Sequence, residues 1–196
     1  PSFTTRKYSI NVPSDTLGHT YAWNKMLDSY NGSYTTENAD AIARLMMDVA
    51  CGLQSDFTPS GTGAYSSDIP ALLQDHFGYD KGAIHQDRWY YSNDSWTSMI
   101  KDELDKNRPV LYTGFNDDSG HAFVLDGYTT EDYFSVNWGW SGYCNGYFLL
   151  DGLVPSGSGS GGNNDHYNFN QGCVFGLIPD AGGDYVVKLS FGEPGL

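Results

Sequence analysis

From Ser119 to Gly142 the chain reads Ser-Gly-His-Ala-Phe-Val-Leu-Asp-Gly-Tyr, a short polar turn, then Tyr-Phe-Ser-Val-Asn-Trp-Gly-Trp-Ser-Gly. Two strands account for this pattern. Ala122 and Val124 take one face of the first, Phe123 and Leu125 the other. Thr129 to Asp132 forms the turn, and the second strand runs from Tyr133 to Val136. Paired as a hairpin, the strands bring His121 at one head near Asn137 and Trp138 at the other tail. An imidazole that moves protons needs a second group on its other nitrogen, to fix tautomer and ring angle. The Asn137 carboxamide does this without adding charge, and the Trp138 indole keeps water from the bond. A lone strand histidine is ordinarily a packing residue beside buried aromatics. Gly-His facing Asn-Trp-Gly-Trp favours the chemical reading instead.

Composition narrows the function class. The 196 residues suffice for one domain with a real core. Aromatics reach 15% with 24 glycines, against 17% charged residues, a β-rich and loop-rich profile. A net charge of −14 argues against nucleic acid and anionic membrane surfaces as partners. No apolar run approaches the ~20 residues of a spanning helix. The chain opens on Pro1 rather than Met, which fits a processed or excised product. The three cysteines, Cys51, Cys144 and Cys173, are too few for a disulfide framework, with a Cys144–Cys173 bridge left open. None pairs at metal-ligand spacing, so neither a metal nor a cofactor is expected.

In chain order, Pro1 to Val12 is polar and extended, and Thr20 to Tyr30 is a short helix or an irregular packed segment. Thr35 or Thr36 caps a first helix, with Glu37 in its first turn. Ile42, Leu45, Met46 and Val49 form its apolar stripe, and Gly52 stops it. Cys51 then lies in the last turn, where the helix dipole disfavours a thiolate, so it reads as a small buried hydrophobe. The loop from Phe57 to Tyr65 lacks the Lys of a P-loop, but its small residues leave backbone groups open to an extended peptide. A second helix follows Ser66 or Ser67 and ends at Gly78. A third starts near Asn93 or Asp94, carries Trp96, Met99, Ile100 and Leu104, and stops before Pro109. Strands are expected at Val110 to Phe115, Gly146 to Leu150, Gly172 to Pro179 and Tyr185 to Phe191. The acidic turn Asn116 to Gly120 lacks the spaced ligands of a calcium loop. Helices first and an antiparallel meander after them make an α+β domain.

These pieces together resemble the streptopain family of bacterial papain-like cysteine peptidases. The likeness runs from about Tyr21 to Pro179. It rests on Leu45 to Val49, the Ser-Gly-Thr-Gly-Ala loop, His76 to Tyr79, the helix around Lys101 to Leu104, Gly120 to Gly127, Val136 to Trp140, Gly146 to Phe148 and the Gly-rich Ser156 to Gly162 segment. The resemblance implies that residues 1–180 are the larger, C-terminal part of a papain-like catalytic domain. Residues 181–196 are then a tail or the start of a further domain. It implies His121 as general base and acid, Asn137 as its orienting group, Trp138 as shield and Trp140 in the cleft. Ser60, Gly61, Thr62, Gly63 and Gly120 would hold the substrate backbone, and Ser156 to Gly162 would be a flap. It also implies a bacterial thiol protease, secreted or on the cell surface, made as a zymogen and tied to virulence. Its partners would be a polypeptide substrate and an inhibitory propeptide.

The departure from the family pattern is large. The family nucleophile is a Cys upstream of the His, at the N-terminus of a long central helix where its pKa is lowered. No position here matches it. The fold is therefore expected to be incomplete without an upstream segment. That segment would be a partner chain cut near Pro1, or part of one longer polypeptide; the remaining reading is an inactive protein. Two rival functions stand beside the peptidase. One is a non-catalytic module for carbohydrate or protein surfaces, with Trp138 and Trp140 as platform. The other makes Cys51 the nucleophile.

Overall fold

A computed structural model describes residues 2–15, 17–155 and 166–179. The expected flap at Ser156 to Gly162, the last strand at Tyr185 to Phe191 and the tail 181–196 lie outside the described residues. The chain divides into two compact units, Pro1–Gly78 and Tyr79–Leu196.

The first unit opens with a small antiparallel pair, β1 (Phe3–Thr4) and β2 (Asn11–Val12). A 3-10 turn at Trp23–Lys25 precedes helix α1 (Thr36–Gly52). Thr35 caps α1 reciprocally with Asn38: each side chain takes the other's backbone N–H. Glu37 sits in the first turn, as the dipole favours. The Gly- and Ser-rich stretch expected as a loop is a tight hairpin of β3 (Asp56–Thr58) and β4 (Gly61–Gly63). Thr58 closes it by donating its hydroxyl to the Gly61 carbonyl at 2.7 Å. Helix α2 (Ile69–His76) follows a 3-10 turn, with Pro70 in its first turn, where a missing N–H costs nothing.

The apolar stripe expected on α1 is only partly inward. Met46 is 65% exposed, and the fully inward positions are Cys51 and a carboxylate, Asp48. Hydrogen bonding explains the inversion. Asp48 Oδ2 accepts from His19 Nδ1 at 2.6 Å and from the Tyr21 hydroxyl at 2.7 Å. Arg44, one turn back on α1, forms an ion pair with the other oxygen at 3.3 Å and donates to His19 Nε2 at 2.8 Å. That donation leaves the His19 proton on Nδ1, facing Asp48. A buried carboxylate is tolerable only when so paired. Burial and the Asp48 bond push the Tyr21 hydroxyl up to about 12.

The second unit is a six-stranded antiparallel sheet with one long helix. β5 (Ile84–Asp87) leads through a 3-10 turn at Arg88–Tyr90 into α3 (Asn93–Asp105), capped by Ser92. Then come β6 (Val110–Phe115), β7 (Gly120–Tyr128), β8 (Phe134–Asn137), β9 (Gly146–Phe148) and β10 (Phe169–Phe175). The order β5-β10-β6-β7-β8-β9 inserts β10 beside the meander. One face carries the core: Val110 and Tyr112, Phe123 and Leu125, Phe134 and Val136, with Trp96, Met99 and Ile100 of α3. Trp96 donates its indole N–H to the Tyr112 hydroxyl at 2.9 Å, and Tyr112 donates on to Gln171 at 2.8 Å. Both polar tips are thereby satisfied inside the apolar layer. Glu103, 2% exposed, takes a two-pronged bond from Arg108 at 2.7 Å on each oxygen. Among the described residues no helix is long and apolar enough to cross a membrane.

Asp48→Ala removes the acceptor shared by His19 and Tyr21 and leaves a cationic Arg44 beside a cavity. The expected loss is about 3 kcal/mol in urea unfolding followed by circular dichroism. A loss no larger than the ~1 kcal/mol of a surface ion pair would show that this network contributes little.

Candidate active site

The site forms where β7 begins. Its register pairs Val110 with Leu125, Tyr112 with Phe123 and Gly114 with His121, so His121 lies at the end of the core-facing row. Phe123 and Leu125 continue that row inward, and His121 itself is half-buried. On the other side β7 pairs Leu125 with Val136 and Val124 with Asn137. Side chains alternate along a strand, so Val136 and Trp138 share the His121 face and Asn137 shares the opposite face with Val124.

The histidine's partner follows from that pleat. His121 Nε2 lies 2.8 Å from the Trp138 backbone carbonyl oxygen, to which it donates. The expected Asn137 carboxamide contact is replaced by a main-chain acceptor. Asn137 instead accepts the Gly139 N–H at 3.0 Å, a local turn bond. Asn145 accepts the Trp138 N–H at 3.0 Å and fixes the same peptide plane from the other side. Gly139 has φ of 75°, a left-handed turn conformation that suits glycine.

Aromatic rings enclose the imidazole. Trp140 stacks on it with centroids 4.9 Å apart, Tyr167 approaches at 5.4 Å, and Phe123 and Trp138 lie at 6.0 and 6.2 Å. Trp138 is fully buried, and its indole N–H has no hydrogen-bond partner among the described residues. Burial lowers the His121 pKa below the ordinary histidine value, and the Trp138 carbonyl bond pulls weakly the other way. In the neutral imidazole the proton lies on Nε2 and the lone pair on Nδ1.

Two members of this site escaped the sequence reading. Tyr167 comes from the segment before β10, and Gly114 makes room for it: a Cβ on Gly114 would sit 2.1 Å from the Tyr167 carbonyl oxygen. The available signal was a glycine inside an otherwise strong strand, which marks close backbone approach. Gly120 faces Phe115, whose ring a Cβ would meet at 2.4 Å. Ser60, Gly61, Thr62 and Gly63 are exposed at the hairpin tip of the first unit, while His121, Trp138, Trp140 and Gly120 belong to the second.

None of the three cysteines is in a disulfide, so the Cys144–Cys173 bridge does not form. Burial, then the Asp15 and Asp48 carboxylates, push the Cys51 thiol up, the reverse of what a nucleophile needs. Cys173 is fully buried and its thiol is pushed well up for the same first reason.

The family model of the Peptidase C10 family matches residues 1–148. The chain belongs to this family. Its C10 relatives include streptopain of Streptococcus pyogenes, 39% identical over 159 residues, 81% of this chain and 40% of that protein. Another is the thiol protease/hemagglutinin PrtT of Porphyromonas gingivalis, 36% identical over 166 residues, covering 85% of this chain and 19% of that protein. The chain therefore spans less than half the length of these curated relatives. Among solved structures, active interpain A of Prevotella intermedia, a cysteine protease, superposes with a TM-score of 0.79 at 33% identity, covering 90% of this chain and 74% of that one. A prointerpain A fragment from the same organism gives a TM-score of 0.73. The C10 fold is the papain-like α+β arrangement that the chain pattern implied.

The Gly114→Ala variant should be destabilised by about 2 kcal/mol, the order for overpacking a tight contact. It should also change the ring-current shift of His121 by displacing Tyr167; an unchanged spectrum would remove Tyr167 from the site. In nuclear magnetic resonance the His121 ring should titrate below about 6.5. The folded chain then binds fewer protons than the unfolded one. This contribution to stability is complete above about pH 6.5 and is lost as pH falls through the folded value.

Proposed function

We propose that this chain is the acid–base part of a cysteine endopeptidase. His121 serves the reaction, and a Cys on an upstream segment or a partner chain supplies the nucleophile. The observation that carries the reading is the Nε2 bond to the Trp138 carbonyl at 2.8 Å. In the neutral ring it leaves Nδ1 unprotonated, the state a general base requires. Residues 1–180 are then the larger part of the catalytic domain.

The steps follow. Nδ1 takes the thiol proton, giving a thiolate–imidazolium pair. The sulfur attacks the scissile carbonyl carbon and forms a tetrahedral oxyanion. Its collapse breaks the C–N bond as Nδ1–H protonates the leaving amine. Nδ1 then deprotonates a water that attacks the thioester and releases the acid and the thiol. Throughout, the Trp138 carbonyl accepts from Nε2–H and stabilises the imidazolium. The Trp138 and Trp140 rings exclude water from that bond. The Ser60–Gly63 hairpin, with open space around Gly61 and Gly63, suits an extended substrate backbone. Polypeptide is the substrate, and a precursor segment that occupies the cleft fits the family's pro-form. Secretion from a bacterium fits the same relatives.

The chain with the upstream segment added, in cis or as a second polypeptide, should hydrolyse a casein-derived peptide. His121→Ala should reduce kcat at least about 10³-fold. Asn137→Ala should cost much less, because its carbonyl serves the turn and not the ring. Assembled protein with no peptide hydrolysis and no uptake of an active-site thiol label would sink the peptidase reading and favour a binding module.

A further inference from the structure

Beside the start of β10 the second unit has a cleft of about 580 Å³ that His121 does not line. Its organising residue is Arg88, in the 3-10 turn after β5. The guanidinium is mostly buried, 14% exposed, and each of its contacts fixes one part of the wall. It donates to Asn93 Oδ1 at 2.9 Å, pairs with Asp151 at 2.7 Å, donates to the Leu150 carbonyl at 3.2 Å and bonds Gln171 Oε1. Gln171 is itself buried and tied to the Leu150 and Tyr167 carbonyls. The back wall is therefore rigid before any ligand arrives.

The front is different. Trp89, beside Arg88, lines the cleft with its side chain 78% exposed, the most exposed large apolar residue among those described. Tyr90 is 57% exposed, with its ring 4.7 Å from the indole. An exposed indole at the mouth of a built polar cleft offers a ligand a flat apolar surface. Around it stand Asp87, Asn168 and Asn170. Asn168 gives its carbonyl oxygen to the Leu153 N–H at 2.8 Å, so its amide group is the donor it can offer. Asn170 is held at φ of 43°, beside the irregularity in register between Phe169 and Gly172.

We propose that this cleft binds a neutral glycan. A pyranose ring has an apolar C–H face that packs on an indole and a rim of hydroxyls that both donate and accept. Trp89 supplies the flat surface. Asp87 and Asp151 accept from hydroxyls, and the Asn168 and Asn170 amides donate to ring and hydroxyl oxygens. Charge sets the class: two carboxylates against one guanidinium leave the cleft net negative, which disfavours sialylated, uronic and phosphorylated ligands. His121 does not line this cleft, so a glycan bound there would hold the protein on a glycosylated surface whether or not peptide hydrolysis proceeds.

The test is saturation-transfer difference spectroscopy on the whole chain with maltotriose, cellotriose and chitotriose, and with sialyllactose and triglycine as charged-sugar and peptide probes. At least one neutral trisaccharide should show transfer to its ring C–H protons. Trp89→Ala, a change at an exposed position that folding should tolerate, should weaken that binding about tenfold. Trp89→Phe should retain part of it, and Asp87→Ala should weaken it without changing the fold. Transfer from none of the neutral sugars, transfer that survives Trp89→Ala, or transfer confined to sialyllactose or triglycine would each overturn the assignment. None of these readouts depends on peptide hydrolysis, so the two proposals fail separately.

Discussion

The bond between His121 Nε2 and the Trp138 carbonyl ties the chemistry of this chain to its sheet. A side-chain acceptor could be lost by one substitution or one rotamer change. A main-chain acceptor moves only if the strand moves. Its position is set by the β7–β8 register, by Asn145 on the Trp138 N–H and by Asn137 on the next N–H. The ring angle of the histidine is thus a property of the ladder. Replacing either amide side chain acts on the imidazole only through that backbone.

The surroundings then decide the proton. Four aromatic rings within 6.2 Å strip water from the imidazole and favour its neutral form, while the carbonyl at Nε2 favours the charged form. Desolvation wins, and the pKa falls. Under the proposed function, a neutral imidazole in this tautomer is a waiting base. Cys51 and Cys173 have the opposite disposition, with burial holding both as thiols. Thiolate–imidazolium pairing of His121 with either of these two sulfurs is therefore disfavoured on both partners.

The legible part of the sequence was what local rules write. The Thr35 cap, the Glu37 dipole contact and the β7–β8 hairpin all follow from neighbours within a few residues, whereas Gly52, expected as the stop, is still helical and Leu53 is the cap. The Ser-Gly loop was half legible, because a three-residue strand on each side of a tight turn leaves almost no periodicity to read. Asn137 was misplaced by arithmetic. Adjacent strand residues face opposite ways, so Asn137 and Trp138 could not both present side chains to His121. Tyr167 and Gly114 were hidden because β10 returns between β5 and β6, a topology no local pattern specifies. Asp48 was hidden by its own polarity, since a stripe of apolar residues drew attention to Met46, which the fold leaves at the surface.

A neutral waiting base also limits when chemistry can begin. Transfer of a proton to a ring that burial keeps uncharged is unfavourable until a compensating anion lies beside it. Under the proposed function that anion is the thiolate formed in the same step, and the low dielectric that penalises either charge alone strengthens the pair once both are present. The cage around His121 therefore opposes isolated protonation and supports paired protonation. Under the proposed function its output depends on whether a sulfur is brought to Nδ1.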